Sequence, residues 1–174
     1  MDSSPRLSTR RLLLWPSTLA LAEAELEGRE SLARGLGAAV PRHWPPPLHD
    51  RRSMAYNRLF LRDNPESVGW GLWYFLRPTG DRGLPELIGG GGFQGLPTSA
   101  GTVEIGYSIL PHHQRQGFAP EAVEALVRWA FEQPRVKRVT AETRPDSRPS
   151  IRVLEKCGFR QCAAAEILLF ERLP

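Results

Sequence analysis

Gln114-Arg115-Gln116-Gly117-Phe118-Ala119 stands between an apolar stretch and an amphipathic one, and its reading decides the fold. Upstream, Val103-Glu104-Ile105-Gly106-Tyr107-Ser108-Ile109-Leu110 is β-branched and aromatic and predicts a strand. Downstream, Ala122, Ala125, Leu126, Trp129 and Ala130 share one helical face, while Glu121, Glu124, Arg128 and Glu132 fall largely elsewhere. The six residues, of the form Q-x-x-G-x-A, are therefore a loop running into a helix. Such a helix start offers free backbone N–H groups and the positive end of the dipole, both suited to an anion. Gly117 has no Cβ and Ala119 almost none, so a phosphate can come close to the main chain. A phosphate-bearing cofactor is the expectation.

Before this stretch, residues 68–77, 86–94 and 102–110 are strand candidates separated by turn-rich segments at 78–83 and 97–101, a pattern that favours an antiparallel meander. Residues 7–15 predict a first strand closed by Pro16, followed by a helix over 19–27 that Ser17 or Thr18 caps and Gly28 ends. A further helical piece covers 29–36, and a helix from about residue 48 to 62 ends before Asn64-Pro65. The proline-rich run Pro41-Arg42-His43-Trp44-Pro45-Pro46-Pro47 is a loop, because proline removes donors and clashes inside a helix. After the helix that opens at Gly117, a strand over 135–143, a short helix over 150–156 and strands over 159–163 and 166–172 complete the chain. Gly90-Gly91-Gly92-Phe93-Gln94-Gly95 fits G-x-G-x-x-G, but turn residues follow it where a dinucleotide site needs a helix. It reads instead as a glycine-rich strand with a bulge or a close neighbour.

The 174 residues, 41% hydrophobic and 24% charged, fit one globular domain. Their net charge of +4 is scattered from Arg6 to Arg172, which argues against a nucleic-acid surface. No apolar run is long enough for a membrane span, and the N-terminal stretch lacks a signal-peptide pattern, so a cytoplasmic location is expected. Cys157 and Cys162 read as reduced, half-buried small residues, and no metal site is expected. Oligomeric state is not written in the sequence, and a homodimer stays open.

In chain order there are a strand with Glu104, the Q-x-x-G-x-A helix start, another strand, and then Ser150-Ile151-Arg152-Val153-Leu154-Glu155-Lys156-Cys157-Gly158-Phe159. Together they resemble the GNAT family of acetyl-CoA-dependent N-acetyltransferases. Leu7-Ser8-Thr9-Arg10-Arg11-Leu12-Leu13-Leu14 and Glu104-Ile105-Gly106-Tyr107 are similar to the branch holding the RimJ/RimL-type enzymes. The resemblance implies a single α/β (α+β) domain over residues 1–174. Its sheet would be mixed, mostly antiparallel and twisted, with about seven strands flanked by about four helices. Residues 1–66 would form the acceptor side, and 67–174 the sheet with the acetyl-CoA site. By position, Gln114, Arg115, Gln116, Gly117, Phe118 and Ala119 match the pyrophosphate loop, with backbone amides as the main donors. Main-chain groups of Ile109 and Leu110 would meet the pantetheine arm where two strands splay. Ser147 falls where the family often has a cofactor-contacting Asn, and Ser150 matches its small residue. Leu154 stands where many members place a tyrosine general acid.

The implied reaction is direct transfer of the acetyl group to a primary amine, either a protein N-terminus or a small amine, with neither metal nor covalent intermediate. Glu104 resembles the branch's strand glutamate and is the candidate base, directly or through water. Ser108 shares its strand parity and so its face, making it a polar site candidate. A thiolate leaving group, with a pKa near ~8.5 for a cysteine-like thiol, needs little acid help, so the missing tyrosine is survivable. Trp44, in its proline-rich loop, is the candidate for lining an acceptor pocket. His112 and His113 read as solvated loop residues, and Trp70, Trp73, Tyr74 and Phe75 as sheet core. The missing tyrosine and replaced Asn leave one alternative, a non-catalytic acyl-CoA-binding or regulatory module.

Overall fold

Trp73-Tyr74-Phe75-Leu76 is apolar at every position, as a strand covered on both faces requires, and it lies at the centre of the molecule. The computed structural model describes residues 4–80 and 83–174, so positions 81–82 of the expected 78–83 turn lie outside it. Strands β1 (Leu7–Ser8) and β2 (Leu13–Pro16) precede helices α1 (Leu19–Glu27), α2 (Arg29–Leu36) and α3 (Arg51–Asp63). The meander β3 (Leu72–Arg77), β4 (Glu86–Phe93) and β5 (Thr102–Ile109) follows, then α4 (Phe118–Phe131), β6 (Arg138–Thr143), α5 (Arg148–Lys156), β7 (Arg160–Ala164) and β8 (Leu168–Arg172). The strands form one sheet in the order β1-β2-β3-β4-β5-β6-β8-β7. Every neighbouring pair is antiparallel except β5 with β6.

Period-2 alternation divides β3 between two cores. Trp73 and Phe75 join Val103, Ile105, Phe118, Leu126 and Leu154 beneath α4 and α5. Tyr74 and Leu76 join Leu32, Leu36 and Leu87 on the opposite face, beneath α2. Each such buried side chain contributes about 1.5–3 kcal/mol of transfer free energy. The glycines of β4 let its neighbours close in: a Cβ at Gly89 would lie 2.6 Å from the Ser108 carbonyl oxygen, and one at Gly91 2.6 Å from that of Gly106. The bulge expected in this region falls where β3 and β4 pair, between Phe75 and Leu76.

Several expected boundaries move. The first strand is a hairpin, because Thr9 turns the chain by accepting from the Leu12 amide through Oγ1 (2.9 Å), and Pro16 pairs with Trp73 inside β2 instead of closing it. Helix α3 begins three residues later than expected, since Leu48 adopts φ 69° and Asp50 caps the helix by accepting from the Ser53 amide. Residues Pro65–Ser67 form a 3-10 turn that delays β3 to Leu72. With the hairpin split, the described residues carry eight strands and five α-helices, not about seven and four.

Candidate active site

The segment ahead of α4 is bent into an amide-lined concavity. Arg115 (φ 61°) and Gly117 (φ 82°) are both left-handed, a geometry that turns successive N–H groups toward one point. Among the described residues no amide from Arg115 to Ala119 donates to a partner. The side chains serve to hold the loop. Gln114 Nε2 donates to the Ile109 carbonyl (2.9 Å), and Gln116 Nε2 to that of His112 (2.9 Å). Phe118 is buried, with the Arg11 guanidinium 4.6 Å above its ring. Arg11 Nη1 also donates to the Gln116 carbonyl (2.9 Å) and Arg11 Nε to Glu121 (2.7 Å). Burial pulls the Glu121 carboxyl upward, but hydrogen bonds from Thr9 and Arg11 outweigh it and hold the group below its ordinary value.

A cavity of about 810 Å³ opens beside this loop, lined by Arg10, Arg11, Lys156 and Arg172 together with Glu121 and Glu124. The two carboxylates are already paired, Glu121 with Arg11 and Glu124 with Arg172 (2.5 Å). Arg10 and Lys156 have no salt-bridge partner among the described residues, which leaves the basin cationic.

Strands β5 and β6 pair only from Thr102 to Glu104 against Arg138 to Thr140, then diverge. Leu110 donates its amide to Ile88 (2.9 Å) and its carbonyl accepts from His113 (2.9 Å), so Leu110 has no N–H left to donate to a ligand. That corrects the expectation for this residue. Alternation from Leu110 turns the amides of Tyr107 and Ile109 toward the open gap instead. The Ile109 carbonyl is taken by Gln114, which leaves the Ile109 amide as the donor there. Across the gap the Tyr107 hydroxyl lies 3.3 Å from Ser150 Oγ and from the Ser150 carbonyl. Burial pushes this phenol up to about 12, partly offset by the Ser150 contact, so it stays protonated at neutral pH. Ser147 occupies the cap position of α5 without making a side-chain cap bond. Leu154 is fully buried in the core.

On the other face, a cavity of about 480 Å³ lies between α3 and the sheet. Its floor is the bare backbone of Gly90, Gly91, Gly92 and Gly106, its walls include Tyr56, Phe60, Leu72 and Phe93, and Ser108 opens into it. Glu104 shares the strand face of Gly106 and Ser108. It is half-buried, and its carboxylate has no hydrogen-bond partner among the described residues. Partial burial, then the like charge of Glu142, raises its carboxyl above the ordinary value.

Trp44 does not line this cavity. Its indole Nε1 turns back to donate to Glu25 (2.9 Å), so it acts as a brace behind the wall. The same Glu25 holds His49 Nε2 (2.9 Å) and the Tyr74 hydroxyl (3.0 Å). Residue spacing carried a signal for this cluster, since Glu25 falls three positions after buried Ala22 on the inward stripe of α1. His113 is also corrected: only 12% of its side chain is exposed, and Nε2 lies 3.4 Å from Glu86. His112 is exposed, as expected. Cys157 is buried and Cys162 exposed, and neither is in a disulfide. Among the described residues no three His, Cys, Asp or Glu side chains are placed to hold a metal, and no described helix is long and apolar enough to cross a membrane.

A diverging parallel strand pair, an unsatisfied amide loop at a helix start and a separate cleft on the opposite face are the arrangement that the resemblance to acetyltransferases implies. Comparison with known proteins makes this particular. The acetyltransferase (GNAT) domain family matches residues 11–160, and the chain belongs to that family. It is 31% identical over 153 residues to the uncharacterized N-acetyltransferase YjdG of Bacillus subtilis, covering 88% of each chain. Among solved structures, an acetyltransferase from Agrobacterium tumefaciens shares the fold at TM-score 0.64 and 24% identity, over 100% of this chain and 97% of that one. RimL, a ribosomal alpha-N-protein acetyltransferase in complex with coenzyme A, does so at TM-score 0.66 and 14% identity, over 97% and 98%.

Proposed function

We propose that the protein transfers the acetyl group of acetyl-CoA directly to a primary amine in the cytoplasm. The observation that carries this reading is the placement of an unpartnered, raised-pKa Glu104 on the strand whose far end diverges beside the amide loop. The main chain from Arg115 to Ala119 receives the pyrophosphate, with Arg10 and Lys156 as added positive charge in the neighbouring basin. The thioester arm lies in the β5–β6 gap, where Ser147 and Ser150 supply hydroxyls. The acceptor amine enters by the opposite cleft, formed by residues 1–66 and the sheet.

In the reaction the amine nitrogen forms a bond to the acetyl carbon and the carbon–sulfur bond breaks. Glu104 takes the amine proton, directly or through water, and its raised pKa makes it a stronger base than a solvated carboxylate. The Ile109 amide donates to the oxyanion of the tetrahedral intermediate. Ser108, on the same face as Glu104, orients the amine. The thiolate picks up its proton without a buried acid, which accommodates Leu154. Burial pushes the Cys157 thiol up to about 11, which makes it a poor nucleophile and favours direct transfer over an acyl-enzyme.

Calorimetric titration with acetyl-CoA, followed by a free-thiol assay over an amine panel, tests the proposal. Tight binding with turnover is expected. Binding without turnover on any acceptor would favour the non-catalytic module instead. The loop has its own test. Gly117→Val puts a β-branched side chain at φ 82°, with its Cβ 3.2 Å from the Arg11 guanidinium and in the path of the phosphate. Its Kd for acetyl-CoA is expected to rise by about 10-fold or more, equal to about 1.4 kcal/mol. An unchanged Kd would remove the loop from the cofactor site.

A further inference from the structure

Resting on the acetyltransferase reading, the lining of the 480 Å³ cavity narrows the acceptor to a chemical class. None of the residues lining it is an aspartate or glutamate. Its side chains that can carry positive charge are Arg52, in the first turn of α3, and His49 just before that helix. His49 is held from behind through Nε2 by Glu25. Arg52 is exposed, and its guanidinium forms no hydrogen bond or salt bridge among the described residues. The neighbouring Asp50 carboxylate accepts from the Ser53 amide (2.9 Å) and hydroxyl (3.0 Å), and the Arg52 charge acts on it only as a weaker, through-space influence. Arg52 thus keeps all its guanidinium N–H donors open beside an aromatic-walled chamber, with Asp50 as its nearest countercharge.

The β5 side of the chamber lining has a different character. Ser108 opens into it, and Glu104 lies on the same strand face. A molecule that fits has an ammonium at the β5 end, an apolar body against Tyr56, Phe60, Leu72 and Phe93, and an anion at the Arg52 end. A polyamine or lysine-rich segment would bring extra cations to Arg52 with no carboxylate in the lining to receive them. A peptide N-terminus would bring no carboxylate near its amine. The volume is that of a small-molecule site. At Gly106 the floor is open, since a Cβ there would meet only Gln94 Nε2 at 3.7 Å.

We propose that the acceptor is an amino-acid-like molecule: a primary amine with an apolar or aromatic body and a carboxylate that Arg52 holds by paired N–H donors. Planar guanidinium–carboxylate pairing is the geometry arginine favours. The test measures CoA release with leucine and phenylalanine, their amides, spermidine and an alanine-led peptide, in the wild type and Arg52→Gln. The same compounds are titrated calorimetrically into the CoA-bound protein. The acids are expected to exceed their amides in kcat/KM by about 10- to 100-fold, and the difference is expected to collapse in Arg52→Gln. Arg52-dependent binding of the acids with no CoA released would keep this acceptor class and remove the acetyl-transfer reading. Preferential acetylation of spermidine or the peptide, or equal use of acids and amides by the wild type, would overturn the class while transfer stands. Absence of both binding and turnover would overturn it as well.

Discussion

Glu104→Gln is expected to lower kcat by about 10²- to 10⁴-fold, the range over which a positioned general base acts, while acetyl-CoA affinity stays unchanged. The split follows from geometry. The phosphate loop presents main-chain amides at Arg115 to Ala119, and Glu104 lies on β5 with no contact to that loop. The pH dependence has a definite sign. Burial and Glu142 raise the Glu104 carboxyl, so the acid limb of the wild-type kcat/KM profile lies above the ordinary carboxylate range and disappears in the glutamine variant. Stability moves the other way. A carboxyl raised in the folded state binds its proton more tightly there than in the unfolded chain, so its contribution falls as pH rises through that range. Glu104→Gln removes this loss, and a higher Tm than wild type at neutral pH is expected alongside the lost turnover. Unchanged turnover across pH would remove Glu104 from the mechanism.

How far the sequence carries depends on whether a feature is local. The helix start at Gly117, the β3–β5 meander and the strand nature of the Gly89–Gly92 run follow from spacing and turn chemistry, which neighbouring residues decide. The hairpin in the first strand is not a local feature, because its turn depends on Thr9, and Thr9 Oγ1 is fixed partly by Glu121, more than a hundred residues away (2.6 Å). Strand parity put Ser108 and Glu104 on one face correctly. It does not fix the direction of each main-chain group, because that requires the β4 register, which turns the Leu110 amide to Ile88 and away from the gap. Trp44 shows the same limit. A tryptophan in a proline-rich loop must bury its indole somewhere, and only the fold reveals that a carboxylate on α1 receives it.

Glu25→Ala is expected to cost about 3–5 kcal/mol, the usual penalty for removing one partner from a buried charged cluster, out of a total stability of about 5–15. With 1% of its side chain exposed, Glu25 accepts from Trp44, His49 and Tyr74, so truncation strands three donors in the interior. Burial, and then the Glu25 charge, hold the Tyr74 phenol well above its ordinary value, so it stays protonated and donates to Glu25. Behind it, Ser17 Oγ lies 3.5 Å from the Tyr74 hydroxyl and accepts from Asn57 Nδ2 (3.0 Å), and Asn57 Oδ1 accepts from the Leu72 amide (3.2 Å). This chain ties α1, α3 and β3 around the acceptor cleft. Urea denaturation should show a lower midpoint with an unchanged m value if the folded state alone is affected. Because Glu25 holds His49 at the cleft wall and nothing at the phosphate loop, the surviving folded protein should show a raised KM for the amine and an unaltered Kd for acetyl-CoA. Glu25→Gln, which keeps the volume and one acceptor oxygen, should fall between the two. Stability of the alanine variant within about 0.5 kcal/mol of wild type, the range of ordinary surface substitutions, would show that the cluster does not hold the cleft together.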